Sequence, residues 1–178
     1  MTVMLPVGRL RLADGTSLAV RPIDEADAEG LVRFHQRLSD ETTYLRFFSV
    51  HPVLHPDEVE RFTHVDHRRR EAVVALLDGE IVAVARFDRL PDGDDAEIAF
   101  VVADEFQGRG IGSALLRALV PRARGFGIRR FVAETMPHNR RMLTVFRHSG
   151  LPVRTQFEDG VVHVVLDLDD VALVAPSR

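Results

Sequence analysis

Three glycines at every second position separate a β-strand pattern from a long helical pattern. They lie within residues 105–113, EFQGRGIGS, and the helix-forming run ALLRALVPRAR follows directly. Glycine is costly beside a helix, so three of them indicate that bare backbone is needed there. One glycine would suffice for a turn into a helix. The stretch therefore predicts a strand–loop–helix unit whose loop contacts a ligand.

The expected ligand of this loop is an anion. A strand that leads through such a loop into a helix presents free backbone N–H groups at the positive end of the helix dipole, and phosphate binds well there. Two familiar phosphate loops fit poorly. A Walker A loop needs a lysine before Ser113, where the chain has Gly112, and the dinucleotide fingerprint needs the spacing G-x-G-x-x-G.

The remaining pattern predicts one mixed α/β domain over residues 1–178. With 46% hydrophobic residues, a chain of this length can bury a substantial core. Asp14-Gly15 and Asp78-Gly79 are typical of β-hairpin turns. We expect residues 171–178 to form a flexible tail. Further strands are predicted at 96–104, 129–135 and on both sides of Gly160, and helices from Asp24, at 41–50 as a continuation or a second helix, at 56–65, after the glycines, and at 138–150.

Composition argues against several kinds of function. The formal net charge is −4 and the basic residues are scattered, so we expect no nucleic-acid surface. The absence of cysteine excludes a thiolate nucleophile and a zinc–thiolate site. No segment approaches membrane-spanning length or a signal peptide, so a cytoplasmic protein without a membrane partner is expected. His64 and His67 have metal-binding spacing, but no further ligands are near them in the sequence, so no metal is expected.

The glycine stretch resembles the acetyl-CoA loop of the GCN5-related N-acetyltransferases, Q/R-x-x-G-x-G/A. In that family the strand before the loop splays from its neighbour, and its free backbone groups pair with the pantetheine arm. An asparagine that contacts the cofactor follows the next strand. Residues from about 16 to about 168 follow the family's order of elements. The resemblance thus implies these cofactor-binding residues: Phe100, Val101, Val102, Gln107, Gly108, Arg109, Gly110, Ile111, Gly112, Ser113 and Asn139.

The resemblance also implies a fold and a reaction. We expect a mixed central sheet flanked by helices, and acetyl-CoA as acyl donor without a metal. The stretches DGTSLAVRPIDEADAEGL, TYLRFFS and AEIAFVVADEFQGRGIGS further resemble the acetyltransferase domain of Pat-type bacterial protein lysine acetyltransferases. Protein lysine is therefore the expected acceptor. A small-molecule amine as acceptor, and a non-catalytic acyl-CoA-binding or sensing module, stay open, as do acyl-chain preference and oligomeric state.

Transfer to an amine requires a general base. A lysine with a pKa of about 10.4 must lose its proton, which costs about 4–5 kcal/mol near pH 7. Glu97 is the first candidate, because strand alternation places it beside Ala99 and Val101, in an apolar neighbourhood that would raise its pKa. The resemblance supports this choice, since the proposed base of Pat-type enzymes is the glutamate of this strand. Glu134 is the second candidate, and a solvated carboxylate is the alternative for both.

Other roles are assigned less completely. Many family members place a tyrosine in the helix after the asparagine to protonate the departing thiolate, but Phe146 stands there and leaves the general acid unassigned. A backbone N–H of Phe100 or Val101 is expected to donate to the thioester oxygen. The stretch that contains Tyr44 is expected to pack on the sheet, with substrate contact as the alternative. Three arginines are candidates for the CoA phosphates: Arg109, Arg140 and Arg141.

Overall fold

One eight-stranded sheet forms the centre of the structure. The computed structural model describes residues 8–169, so the predicted tail at 171–178 lies outside the described residues. The strands are β1 (Gly8–Arg11), β2 (Ser17–Pro22), β3 (Arg70–Leu77), β4 (Glu80–Arg89), β5 (Asp95–Val102), β6 (Arg130–Thr135), β7 (Val153–Glu158) and β8 (Val161–Asp167). Their spatial order is β1-β2-β3-β4-β5-β6-β8-β7. Among these described strands, β5–β6 is the one parallel pair.

Within residues 8–169, five α-helices flank the sheet. They are α1 (Ala28–Gln36), α2 (Asp40–Phe47), α3 (Pro56–Thr63), α4 (Ile111–Gly125) and α5 (Arg140–Arg147). The open question at residues 41–50 is decided in favour of a separate helix, because the Ser39 side chain caps α2 by accepting a hydrogen bond from the Thr42 N–H at 3.2 Å. Among residues 8–169, every helix is too short or too polar to span a lipid bilayer.

The sheet separates two apolar layers. On one face, Phe87 and Phe131 pack with Leu115 and Leu119 of α4, and on the other face Val74 packs with Phe34 of α1. Because both faces are covered, the central strands β3 and β4 are almost continuously apolar. Each fully buried large side chain of this kind contributes about 1.5–3 kcal/mol to folding. The predicted mixed α/β fold is confirmed.

Strands β5 and β6 pair over a short length and then separate. The parallel ladder joins Asp95 to Arg130, Ala96 to Phe131, and Glu97 to Val132. Beyond Glu97, β5 continues to Val102 and β6 to Thr135 without pairing with each other. The predicted splay is therefore present. It leaves backbone hydrogen-bonding groups on the two facing edges without a strand partner.

Candidate functional site

A wedge-shaped cleft of about 890 Å³ opens where β5 and β6 separate. Its walls come from the ends of these two strands, the glycine loop, the first turn of α4, most of α5, and one side of α2. We call this space the cleft. Glu97 lines it, together with all but one of the predicted cofactor-binding residues: Phe100, Val101, Val102, Gln107, Gly108, Gly110, Ile111, Gly112, Ser113 and Asn139.

Two of the three alternating glycines shape the loop through their backbone conformation. Gly108 and Gly110 have φ angles of 75° and 81°, in the left-handed region that favours glycine. A Cβ at either position would meet no atom within 4 Å. Backbone conformation, rather than crowding, therefore requires glycine there, and the space beside both residues is open to a ligand.

Gly112 serves a different purpose from its two neighbours. A Cβ at this position would lie 3.2 Å from Cγ2 of Val145, which is tighter than ordinary van der Waals contact. Gly112 lies in the first turn of α4 and Val145 lies on α5. The third glycine thus lets these two helices approach closely at the wall of the cleft.

The first turn of α4 is suited to an anion. Gly110 stands at the N-cap and offers no side-chain cap, and the turn contains no acidic residue. The first hydrogen bond into the helix runs from the Ala114 N–H to the Gly110 oxygen at 3.1 Å. The N–H groups that precede Ala114 have no partner within the helix, and the helix dipole adds positive potential at this end. The turn thus has the features that the glycine pattern predicts for an anion site.

Two of the three arginines expected to bind phosphate line the cleft, and the third does not. Arg109 is not part of the cleft wall: its Nη1 lies 3.1 Å from Oδ2 of Asp14 in the first hairpin, and its guanidinium lies 5.1 Å from the centre of the Phe106 ring. Arg140 and Arg141 do line the cleft. Arg141 also donates a hydrogen bond to the side-chain oxygen of Gln107.

A hydrogen-bond network connects α2 with the glycine loop. Asp104 accepts hydrogen bonds from the Ser39 N–H at 3.0 Å and from the Thr42 hydroxyl at 2.8 Å. Gln107 donates to the Thr42 hydroxyl at 3.1 Å and to the Val102 carbonyl at 3.0 Å. Burial raises the pKa of Asp104, but the hydrogen bonds from Ser39 and Thr42 outweigh it and lower the pKa overall. Sequence reasoning missed Asp104, whose partners lie about 65 positions away.

The expected apolar surroundings of Glu97 are wrong. Its side chain is exposed, and it lies directly opposite Asp88 of β4 on the same face of the sheet. Arg46 of α2 lines the same cleft, and its pKa is lowered by burial, while the charges of Glu97 and Asp88 act to raise it. Glu97 therefore lies at the opening of the splay in a charged and solvated environment, in which two carboxylates face several guanidinium groups.

The second candidate base is also exposed. Oε1 of Glu134 lies 3.3 Å from Nδ1 of His163 on the neighbouring strand β8, and both side chains are in contact with solvent. Glu134 lines the cleft on the β6 side. The splay thus places a carboxylate on each of its two strands.

A buried hydroxyl without a partner lies at the end of β6. Thr135 is 2% exposed and lines the cleft, and its Oγ1 has no hydrogen-bond partner among the described residues. Leaving a buried polar group unpaired costs about 1–3 kcal/mol. Phe146, at the position where a tyrosine would supply a general acid, is buried, and the centres of its ring and the Phe100 ring lie 6.1 Å apart in an edge-to-face arrangement. Nothing in the sequence around Thr135 marked this hydroxyl, because its isolation follows from the separation of the strands.

The aromatic stretch TYLRFF, residues 43–48 at the end of α2, packs against the core only in part. Phe47 contacts the core beneath α1–α3, as expected. Tyr44 and Phe48 are exposed, which contradicts the packing prediction for them, and Phe48 ends α2 in a left-handed conformation with φ 56°. Phe48 also lines the cleft. The stretch therefore presents apolar surface at the mouth of the cleft.

The two histidines with metal-binding spacing pair with different carboxylates. His64 Nε2 lies 2.9 Å from Oε1 of Glu25, and His67 Nδ1 lies 2.9 Å from Oε1 of Glu71. Within residues 8–169, no group of three or more side chains is arranged to hold a metal ion.

Comparison with known proteins gives a consistent result. Residues 31–151 match the sequence profile of the Acetyltransferase (GNAT) family. The chain is 32% identical over 135 residues to the acetyltransferase PA5475 of Pseudomonas aeruginosa, covering 74% of this chain and 73% of that protein. It is also 32% identical over 170 residues to the acetyltransferase Pat of Mycolicibacterium smegmatis. That match covers 93% of this chain but spans only 50% of the M. smegmatis protein.

Solved structures show the same fold. The crystal structure of the GNAT domain of S. lividans PAT superposes with a TM-score of 0.84 at 43% identity, covering 90% of this chain and 96% of that one. The structure of yncA from Salmonella typhimurium with its cofactor acetyl-CoA superposes with a TM-score of 0.68 at 19% identity, covering 90% and 98% of the two chains. At that identity the second comparison concerns the fold alone.

Proposed function

The chain belongs to the acetyltransferase (GNAT) family and is thus an acyltransferase that uses acetyl-CoA, and we propose that it acetylates lysine side chains of proteins. The observation that carries the choice of acceptor is the likeness to the GNAT domain of S. lividans PAT, at 43% identity over 90% of the chain. The exposed Phe48, which lines the cleft, suits contact with a larger acceptor, and the exposed Tyr44 lies on the same helix. The cytoplasmic location stays a prediction.

The residues of the cleft fit acetyl-CoA at its pyrophosphate and along its pantetheine arm. The free N–H groups of Ile111, Gly112 and Ser113, with Arg140 and Arg141, suit the pyrophosphate. The unpaired edge of β5 from Phe100 to Val102 suits the amides of the pantetheine arm. The isolated hydroxyl of Thr135 offers one more polar contact.

Asn139 combines two uses in this proposal. Its Oδ1 accepts a hydrogen bond from the Met142 N–H at 3.1 Å and so caps α5. The side-chain amide N–H groups are left to donate into the cleft, which Asn139 lines. One residue thereby fixes the start of α5 and faces the cofactor.

In the proposed mechanism, the protein positions the amine and removes its proton. Bound acetyl-CoA supplies an already activated thioester, so positioning provides much of the rate. The Glu97 carboxylate, at the point where the strands part, accepts the proton from the acceptor ammonium directly or through water. A backbone N–H on the free edge of β5 donates to the thioester oxygen as negative charge develops there. A thiolate, with a thiol pKa of about 8.5, can leave without an acid.

Substitution of Glu97 tests the proposed base. Glu97→Gln should lower kcat about 100-fold or more, since general-base catalysis contributes about 10²–10⁴-fold, with the dissociation constant for acetyl-CoA unchanged. Glu134→Gln on the opposite strand is the matched control and should retain most activity. CoA release would be measured with lysine peptides, intact proteins and small amines. An unchanged rate in Glu97→Gln would show that Glu97 is not the general base. CoA release with small amines alone would show that the acceptor is not a protein.

A further inference from the structure

Positive charge is concentrated on the sheet face beneath α2 and α3. The whole chain has a formal net charge of −4, so this excess is local. Three carboxylates interact with this group of arginines: Asp88 and Glu97, which lie opposite each other on β4 and β5, and Asp66, which interacts with Arg70. They face four guanidinium groups, which we call the arginine cluster: Arg46, Arg61, Arg70 and Arg86.

Arg86 is the buried member of the arginine cluster. Its side chain rises from β4 and the residue is 7% exposed. Nη2 donates to the Phe62 carbonyl at 2.9 Å, and the guanidinium lies 4.3 Å from the centre of the Phe62 ring. Burial and the neighbouring Arg46 lower its pKa to about 10, so it stays charged at neutral pH. Arg86 forms no ion pair with a carboxylate among residues 8–169, and a buried charge without a counter-ion is costly.

Arg46 is the member of the arginine cluster that lines the cleft. It projects from α2, is half-buried, and lines the cleft together with Glu97. Within the described part of the chain it has no hydrogen bond or ion pair that satisfies its guanidinium. Asp88 is engaged by Arg61, with 3.6 Å between Nη2 and Oδ2. Glu97 is then the carboxylate left to face Arg46.

We propose that Arg46, supported by Arg86, binds a carboxylate of the acceptor beside the amine that is acetylated. This inference rests on the proposed function and specifies its substrate class. A guanidinium fork matches a carboxylate with two parallel hydrogen bonds. A carboxylate at Arg46 also neutralises positive charge that would repel the incoming ammonium group. Glu97 then remains available for the proton of the amine.

The other carboxylates of the cleft do not fill this role. Glu41, Asp104 and Glu134 also line the cleft, but none of them is among the charges that act on Arg46 or Arg86. Asp104 already accepts hydrogen bonds from Ser39 and Thr42. Because the proposed function places the pyrophosphate of acetyl-CoA at the glycine loop, the acceptor is the remaining source of an anion beside Arg46.

A carboxylate next to the amine can come from two sources, and paired acceptors separate them. The first pair is a peptide whose lysine is flanked by glutamates and the same peptide with glutamines. The second pair is Nα-acetyl-lysine and its C-terminal amide. We expect kcat/KM to be about tenfold higher for the acidic member of at least one pair, as a charge-assisted hydrogen bond predicts. Preference in the first pair identifies an acidic side chain, and preference in the second identifies a main-chain carboxylate.

Substitution of Arg46 connects that preference to the site. Arg46→Gln should abolish it through a rise in the KM of the acidic acceptor, with the KM for acetyl-CoA unchanged. Arg46→Lys should restore it in part, because it keeps the charge and loses the fork. Arg33→Gln is the matched control, since Arg33 forms an exposed ion pair with Glu80 away from the cleft. Equal kcat/KM within both pairs, or a preference that survives in Arg46→Gln, overturns the proposal.

A binding measurement keeps this test independent of turnover. Calorimetric titration of the acetylated products into wild type and Arg46→Gln should show tighter binding of the acidic product by wild type alone. Absence of acetylation with every acceptor would refute the proposed function, whereas the titration would still decide the carboxylate site. Equal binding of acidic and neutral products, or no binding of either, overturns the carboxylate site.

Discussion

Glu71 of β3 and Arg122 of α4 form an ion pair that is buried between the sheet and the helix. The Glu71 side chain is fully buried and that of Arg122 is 5% exposed, and Nε of Arg122 donates to Oε2 of Glu71. Oε1 of Glu71 accepts from the Ala72 N–H at 3.0 Å and contacts His67 at 2.9 Å. The pair connects the helix that begins at the glycine loop to the centre of the sheet.

Removal of one partner should destabilise the protein strongly. Glu71→Gln leaves the Arg122 charge buried without a counter-ion and should lower the free energy of unfolding by about 3–5 kcal/mol. The double variant Glu71→Leu with Arg122→Met should recover most of that loss, because no charge remains buried. Urea denaturation of the single and double variants measures both effects. A loss below about 1 kcal/mol in the single variant would show that the charge is solvated.

The glycines of the loop should respond differently to alanine. Gly110→Ala strains a left-handed backbone at the anion site, which costs about 1–2 kcal/mol, and we expect weaker CoA binding. Gly112→Ala presses on Val145 and should mainly lower the thermal midpoint. Adding Val145→Ala to Gly112→Ala should restore the midpoint and leave Gly110→Ala unimproved. Calorimetry with CoA and thermal denaturation distinguish the two, and rescue of both by Val145→Ala would contradict the assignment.

Thr135→Val should change stability and CoA affinity in opposite directions. Valine matches threonine in shape and removes a buried hydroxyl that lacks a partner, so the free protein should become more stable by about 1 kcal/mol. If the hydroxyl contacts the cofactor, the dissociation constant for CoA should rise about tenfold, which corresponds to about 1.4 kcal/mol. Thr135→Ser should retain CoA affinity. Unchanged affinity in Thr135→Val would show that the cofactor does not use this hydroxyl.

His35 should make the folded state sensitive to mild acid. The ring is buried between α1 and the segment after α2, and Nε2 donates to the His51 carbonyl at 2.7 Å. Burial lowers the pKa of His35, so the unfolded chain binds a proton more readily than the folded chain. This contribution to stability is complete above about pH 6.5 and is lost as the pH falls toward the lower folded pKa, by at most about 1.4 kcal/mol per unit.

The pH dependence can be assigned to His35 by substitution. His35→Gln keeps a donor for the His51 carbonyl and cannot titrate in this range. The difference in unfolding free energy between pH 7.5 and pH 5.5, measured in urea, should be smaller in this variant than in wild type. His55→Gln, which alters a histidine at the N-cap of α3, tests whether any histidine change has the same effect. Equal differences in His35→Gln and wild type would remove His35 from this role.

Local chemistry explains what the sequence predicted well. The Asp78-Gly79 turn, the glycine loop and the helix started by Pro56 each depend on residues that are neighbours in the chain, and all are found. Contacts between distant segments explain the failures. Arg109 is drawn away from the cleft by Asp14, which is 95 positions earlier. The environment of Glu97 is set by Asp88 across the sheet and by Arg46 from a helix, and strand alternation alone carries no information about either.

The separation of β5 from β6 also determines how firmly the C-terminal strands are held to the rest of the sheet. Three residue pairs join β6, and through it β8 and β7, to the rest of the sheet. A pantetheine arm that bonds to both free edges would act as a removable extra strand. Ligand at 100 times its dissociation constant adds about 2.7 kcal/mol to stability. The supply of acetyl-CoA would thereby set the stiffness of the C-terminal strands, so that the enzyme is most rigid when it is ready to react.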